Sequence, residues 1–191
     1  MTTPRPGSRA EQRQRTEARI LDAATQVFFG AGYDRATIRA VASAAGVDPS
    51  LVMHYFGSKQ ELYRRVIDAA PVPEFSGTPA EATEQIIAGF ADRLTSTPAA
   101  SLALFRSMLT NPEAADAARA GIARYEAQIA QAIPSDDADL RAAIISAVAL
   151  GITVSRHLIK ADELATADPE QVIGLLRPCI LSLAARTDRL D

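Results

Sequence analysis

The chain has 191 residues, 48% of them apolar, with a net charge of −3, no tryptophan and one cysteine. That length admits one domain or two small ones, and the apolar share suffices for a full core. The single cysteine, Cys179, excludes an intramolecular disulfide and a cysteine-based metal cluster. The longest uncharged, mostly apolar stretch is Ala142–Val154, shorter than the ~20 residues that span a bilayer. The Arg-rich N-terminus has no apolar segment of the secretory kind, so a cytoplasmic protein is expected. Charge is divided unevenly. Residues 1–65 hold 10 Lys+Arg against 6 Asp+Glu, whereas residues 66–191 hold 10 against 17. A cationic front and an anionic remainder suit a chain in which one small module meets phosphate and the other does not.

In chain order, Pro4, Pro6 and Gly7 argue against regular structure over 1–7. Ser8 and Glu11 are spaced as a capping box for a first helix. Arg5 and Arg9 suit phosphates or a minor groove, while Arg13 and Arg15 fit a solvated helix face equally well. Further along, Ile20, Ala24, Val27 and Phe28 share one face. With Ile38, Val41, Val52 and Phe56 they are expected to form the core of a three-helix module. Gly30, Gly32, Tyr33 and Asp34 form the loop between its first two helices.

Residues 37–59, TIRAVASAAGVDPSLVMHYFGSK, read as helix, tight turn, helix and stop. Thr37 suits an N-cap and Gly46 the left-handed residue that closes a helix. Asp48 caps the second helix, with Pro49 where a missing N–H costs nothing, and both are expected among the residues that meet DNA. Two short helices around a Gly-containing turn make a helix-turn-helix, whose second helix can enter the DNA major groove. Val52 and Phe56 face the core, leaving Pro49, Ser50 and Met53 opposite. Ser50 can bond a base edge and Met53 can touch a thymine methyl. The helix has no Arg, Asn or Gln for a bidentate base contact, so DNA shape is expected to share in specificity. His54, Tyr55 and Lys59, with Thr37 and Arg39, are candidate phosphate ligands. With only His157 as a second histidine, His54 is not expected to hold a metal, and no cofactor is expected.

The run Thr37-Ile38-Arg39, Ala42, Ala45-Gly46-Val47 and His54-Tyr55-Phe56-Gly57-Ser58-Lys59 with Glu61-Leu62 resembles the DNA-binding domain of the tetracycline-repressor (TetR) family of bacterial transcription regulators. Ile20-Leu21-Asp22-Ala23-Ala24 and Phe28-Phe29-Gly30-Ala31-Gly32-Tyr33 extend the resemblance to about a third of the chain. Met53 departs from it, because a larger aromatic usually stands there.

Ser58 and Glu61 are spaced as another capping box, opening a helix over Lys59–Ala70, and PVPEFSG (71–77) is the best boundary. The expected division is a DNA-binding module over 1–70 and a second helical module over 71–191. Thr78-Pro79, Thr97-Pro98, Asn111-Pro112 and Asp168-Pro169 mark four helix starts. Coarse helices cover 79–95, 98–109, 112–132, 137–160 and 169–186, giving about nine in an all-α fold. The apolar positions Phe90, Leu94, Phe105, Met108, Leu109, Tyr125 and Ile129 fit plain core as well as a cavity lining. Ala143, Ala147, Gly151 and Ser155 recur every four residues and would admit a close helix neighbour. Val172, Leu176 and Ile180 add apolar surface on the last helix, where Pro178 predicts a kink.

The resemblance implies an effector cavity at those middle positions and a two-fold dimer through the last two long helices. It also implies a homodimeric repressor, released from operator DNA by a small apolar ligand. An activating regulator, and a helical interaction module that binds no DNA, are the alternatives. Nothing resembles a catalytic constellation, so no enzyme is expected.

Overall fold

The computed structural model describes residues 9–95 and 99–185. Arg5, Ser8 and the Thr97-Pro98 pair lie outside the described residues. Within them the chain forms α1 (Arg9–Ala31), α2 (Ile38–Ala45), α3 (Pro49–Phe56), α4 (Lys59–Ala69) and α5 (Pro79–Thr95). Then come α6 (Ala99–Thr110), α7 (Pro112–Ala132), α8 (Ala138–Thr153), a π-helical turn (Val154–Ile159), α9 (Asp162–Thr166) and α10 (Pro169–Ala184). No strand occurs among the described residues.

Local chemistry fixes most of these boundaries. Thr37 Oγ1 accepts from the Ala40 N–H at 3.1 Å and so caps α2. Gly46 ends α2 at φ 62°, and the Val47 N–H closes back on the Ala42 carbonyl at 3.0 Å. Asp168 caps α10 through the Glu170 N–H, and Asn111 caps α7 through those of Glu113 and Ala114. At α5 the box closes both ways: Thr78 N–H donates to Glu81, and Glu81 N–H donates to Thr78.

The box expected at Ser58 is only half made. Ser58 Oγ accepts from the Glu61 N–H at 3.0 Å, but the Ser58 N–H already donates to the Phe56 carbonyl. The Glu61 carboxylate turns instead to Arg64. The long helix expected over 137–160 is also corrected, because its last turn widens into a π turn. Lys160 then reverses the chain in the left-handed region at φ 58°. A short helix beyond the nine expected, α9, follows that reversal. It is held by Arg156, whose Nη1 donates to the carbonyls of Leu164 (2.6 Å) and Ala167 (2.9 Å).

The described chain falls into two compact units. One comprises the residues up to Ala70 together with Ala103–Ala118; the other comprises Pro71–Leu102 and everything from Arg119 on. In the first, Ile20, Ala24, Phe28, Val41, Val52, Phe56, Leu62 and Tyr63 form one buried cluster, which Ala114 and Ala117 of α7 complete. In the second, Ile86, Ile87 and Phe90 of α5 meet Ile129, Ile145, Ala149 and Ile180.

The run Ala138–Ile159 is helical for 22 residues, and by length and composition it could cross a membrane. The uncharged stretch within it is therefore shorter than the helix that carries it. One side of that helix belongs to the second unit's core through Ala142, Ile145 and Ala149.

Candidate nucleic-acid interface

Helices α1 to α4 bring together the front residues singled out in the sequence. Val52 and Phe56 are buried, which fixes the roll of α3 and leaves Pro49, Ser50, Met53 and His54 exposed on its other face. Thr37 and Arg39, at the start of α2, are exposed as well. The N-terminal turn of α3 has its own lock. Asp48 Oδ1 accepts from the Ser50 N–H at 2.8 Å and from the Ser50 hydroxyl at 2.5 Å. The hydroxyl bond, then the N–H bond, hold the Asp48 carboxyl below the usual range, so it stays ionised. In this arrangement Ser50 has spent its one donor on Asp48 and presents only lone pairs. Asp48 thus acts as a cap beside the interface, and its negative charge suits it poorly to touching phosphate.

Around this face the candidate phosphate ligands are ordered by aromatic packing. Tyr55 is half-buried, lies edge-on to the His54 ring at 5.7 Å, and has the Arg13 guanidinium over its ring at 5.6 Å. Arg13, which the sequence left evenly balanced, is thereby held beside α3. Arg9 is exposed at the start of α1. Arg64 and Arg65 are committed within α4 and to α1: Arg64 pairs with Glu61 and Asp68, and Arg65 with Glu17 and Glu61.

Lys59 is half-buried rather than free. Its Nζ sits 4.3 Å from the centre of the Tyr33 ring and donates to the Asp34 carbonyl at 3.5 Å. Tyr33 is itself enclosed, stacked on Phe28 and tilted against Tyr63 at 4.8 Å. Sequence reasoning took Tyr33 and Asp34 only as loop residues. A Gly-Tyr-Asp run beside a buried aromatic cluster was the available signal.

In the second unit Phe90, Leu94 and Ile129 are enclosed in the core, and Tyr125 stands at its edge against Phe75 and under Arg93. Phe105, Met108 and Leu109 belong instead to the segment that clusters with the first unit. Leu109 is 68% exposed, so it lines nothing enclosed there. The structure therefore does not gather the seven expected cavity residues within one unit.

The stripe on α8 is open. Ala147 and Gly151 are exposed, Ala143 and Ser155 half-exposed, and a Cβ built on Gly151 would meet nothing within 4 Å. Two residues assigned to this outer surface are corrected. Val172 (8% exposed) and Ile180 (1%) are buried inside their own protomer, where α10 meets α5 and α8. Leu176 is half-buried. The exposed apolar groups are Leu140 (63%) and Ile144 (42%) on α8, with Leu175 (74%) and Leu181 (45%) on α10. The sequence reading missed all four, since α8 and α10 are apolar on more than one side.

Comparison with known proteins bears on both halves. Residues 20–66 match the model described as bacterial regulatory proteins, tetR family, and residues 80–183 match that of the tetracyclin repressor-like C-terminal domain. The HTH-type transcriptional repressor NicS of Pseudomonas putida is 35% identical over 68 residues, 36% of this chain but only 32% of NicS. Among solved structures, a regulator of Streptomyces coelicolor A3(2) superposes with a TM-score of 0.66 at 17% identity, over 90% of this chain and 99% of that one. GusR of Salmonella enterica gives 0.60 at 20% identity, over 89% and 95%. NalD of Pseudomonas aeruginosa, the secondary repressor of the MexAB-OprM multidrug efflux pump, gives 0.60 at 18%, over 90% and 96%. At these identities the structural likeness speaks for the fold alone.

Proposed function

Because the chain belongs to the TetR family of bacterial regulatory proteins, we propose that it is a cytoplasmic, homodimeric transcriptional repressor that a small apolar ligand releases from operator DNA. Residues 1–70, completed by the packing of Ala103–Ala118, are its DNA-binding module, and the rest of 71–191 is its effector and dimerisation module. The observation that carries this reading is α3. Its burial pattern and both caps fix a short helix that projects Ser50, Met53 and His54 to solvent beside Thr37, Arg39, Tyr55 and Lys59. An exposed helix end flanked by phosphate ligands is what major-groove docking requires.

Pairing of two copies follows from the outer face of α8 and α10. Leu140, Ile144, Ala147 and Gly151 are spaced by four, three and four, the interval that keeps one seam of a helix against a neighbour. Two recognition helices in such a pair would read a near-palindrome with centres about 34–36 Å apart. The ligand reading rests on Phe90 and Tyr125, aromatic groups in and at the edge of the second unit's core.

The deciding experiment is a mobility shift on DNA upstream of the protein's own coding region, with sedimentation of the same sample. A dimer that retards that DNA and spares an unrelated duplex is the expected result. A dimer that retards neither is the interaction module.

A further inference from the structure

The first unit contains a cluster that plain helix packing does not require, at the corner between α6 and α7. Ser107, on α6, accepts from the Tyr33 N–H at 2.9 Å through its hydroxyl oxygen. Its Oγ lies 3.2 Å from where a Cβ on Gly32 would stand, and Gly32 sits at φ +80°, so only glycine gives the hydroxyl this approach. Asn111 Nδ2 donates to Asp34 Oδ1 at 3.0 Å, and Thr110 Oγ1 to Asp34 Oδ2 at 3.2 Å. The Tyr33 hydroxyl donates to Glu113 Oε2 at the start of α7. Four hydrogen bonds thus tie Tyr33 and Asp34, in the loop between α1 and α2, to residues more than seventy positions away.

What the loop holds in turn is Lys59, by the face of Tyr33 and the carbonyl of Asp34. An ammonium group has three donors, and that carbonyl takes one. Lys59 is also the first residue of α4, whose first N–H groups lack intrahelical partners. A lysine already pinned there binds phosphate without first losing its rotamer freedom.

We propose that Tyr33 and Asp34 are positioning residues for Lys59, clamped by Ser107, Thr110, Asn111 and Glu113, so that the α6–α7 corner sets the strength of DNA backbone binding. The proposal rests on the DNA-binding reading. It adds that residues remote in sequence, with no DNA contact of their own, act through one cation. Both α6 and α7 run on past the segment Ala103–Ala118 that belongs to this unit.

The test is the salt dependence of binding to a random-sequence duplex, measured on the full chain, with Lys59→Ala as reference. Asn111→Asp keeps the cap of α7, because its remaining oxygen still accepts from Glu113 N–H, but sets a carboxylate against that of Asp34. The exchange Asp34→Asn with Asn111→Asp restores a donor–acceptor pair at unchanged net charge. Expected is a flattening of the log K against log salt slope by about 1 for Lys59→Ala, the same for Asn111→Asp, and recovery in the exchange variant. Tyr33→Phe, which keeps the ring and the net charge but loses the bond to Glu113, should flatten the slope in the same direction. A parental slope in Asn111→Asp and Tyr33→Phe, with Lys59→Ala flattened, overturns the clamp and leaves the DNA-binding reading intact. So does an exchange variant as impaired as Asn111→Asp. Absence of duplex binding by the parent chain at low salt overturns both.

Discussion

Tyr63 is 1% exposed, and its hydroxyl finds no hydrogen-bond partner among the described residues, so it brings a desolvated polar group into the core between Phe28 and Tyr33. Such a group costs about 1–3 kcal/mol. Tyr63→Phe is therefore expected to stabilise the protein by about 1 kcal/mol in chemical denaturation; a loss of stability would mean the hydroxyl has a partner. Burial pushes the Tyr63 phenol up to about 12, against an ordinary value of 10.0. Tyr33 is pushed in the same direction, first by burial and then by the Glu113 carboxylate it bonds. Both phenols are neutral when protonated, so their folded-state values exceed the unfolded ones. Stability should hardly respond to pH just below 10 on their account and should fall as pH rises from 10 to about 12. Ultraviolet titration would then find Tyr33 and Tyr63 ionising together with unfolding. Gly32 gives the opposite sign: alanine there must hold φ +80° against Ser107, and Gly32→Ala should cost at least about 1–2 kcal/mol by the same denaturation assay.

Among the elements, α3 depends on Asp48 twice. Asp48→Ala removes a helix cap and also frees the Ser50 hydroxyl to donate. The variant should unfold more readily, and in a randomised-site selection it should shift base preference where Ser50 points. An unchanged selected site would put readout in DNA shape instead. The caps of α2, α3 and α10 were legible from sequence because a cap is local: Thr37, Asp48 and Asp168 bond N–H groups two or three residues on. The half-made box at Ser58 was not legible, since it turns on a competing Phe56 carbonyl and on Arg64. Nor was α9, which Arg156 holds from across a chain reversal. Sequence pattern reported that α10 is apolar but could not say which side its own protomer uses, because Val172, Leu175, Leu176, Ile180 and Leu181 all read alike. Burial separates them. Ile180→Ala should lower protomer stability by about 2–5 kcal/mol. Leu175→Glu should leave the protomer folded.

At the scale of the whole molecule, that second substitution tests assembly. Leu175→Glu and Ala147→Glu place a carboxylate on the open face of α10 or α8. Sedimentation should find monomers that have lost tight binding to a palindromic operator; dimers of normal affinity would remove this face from the interface. The way the chain is threaded has a practical consequence of its own. The unit that bears α3 is not one continuous segment, for Ala103–Ala118 returns to complete it, with Ala114 fully enclosed in its core. A fragment cut after Ala70 would present the seat of Ala114 and Ala117 to water, and would leave Tyr33 N–H and the Asp34 carboxylate without their partners. The reading head is thus no cassette that can be lifted out and grafted onto another sensor at the 70–71 junction. A transplant that carries the α6–α7 corner with it should keep the parent's melting behaviour, and one that omits it should melt earlier.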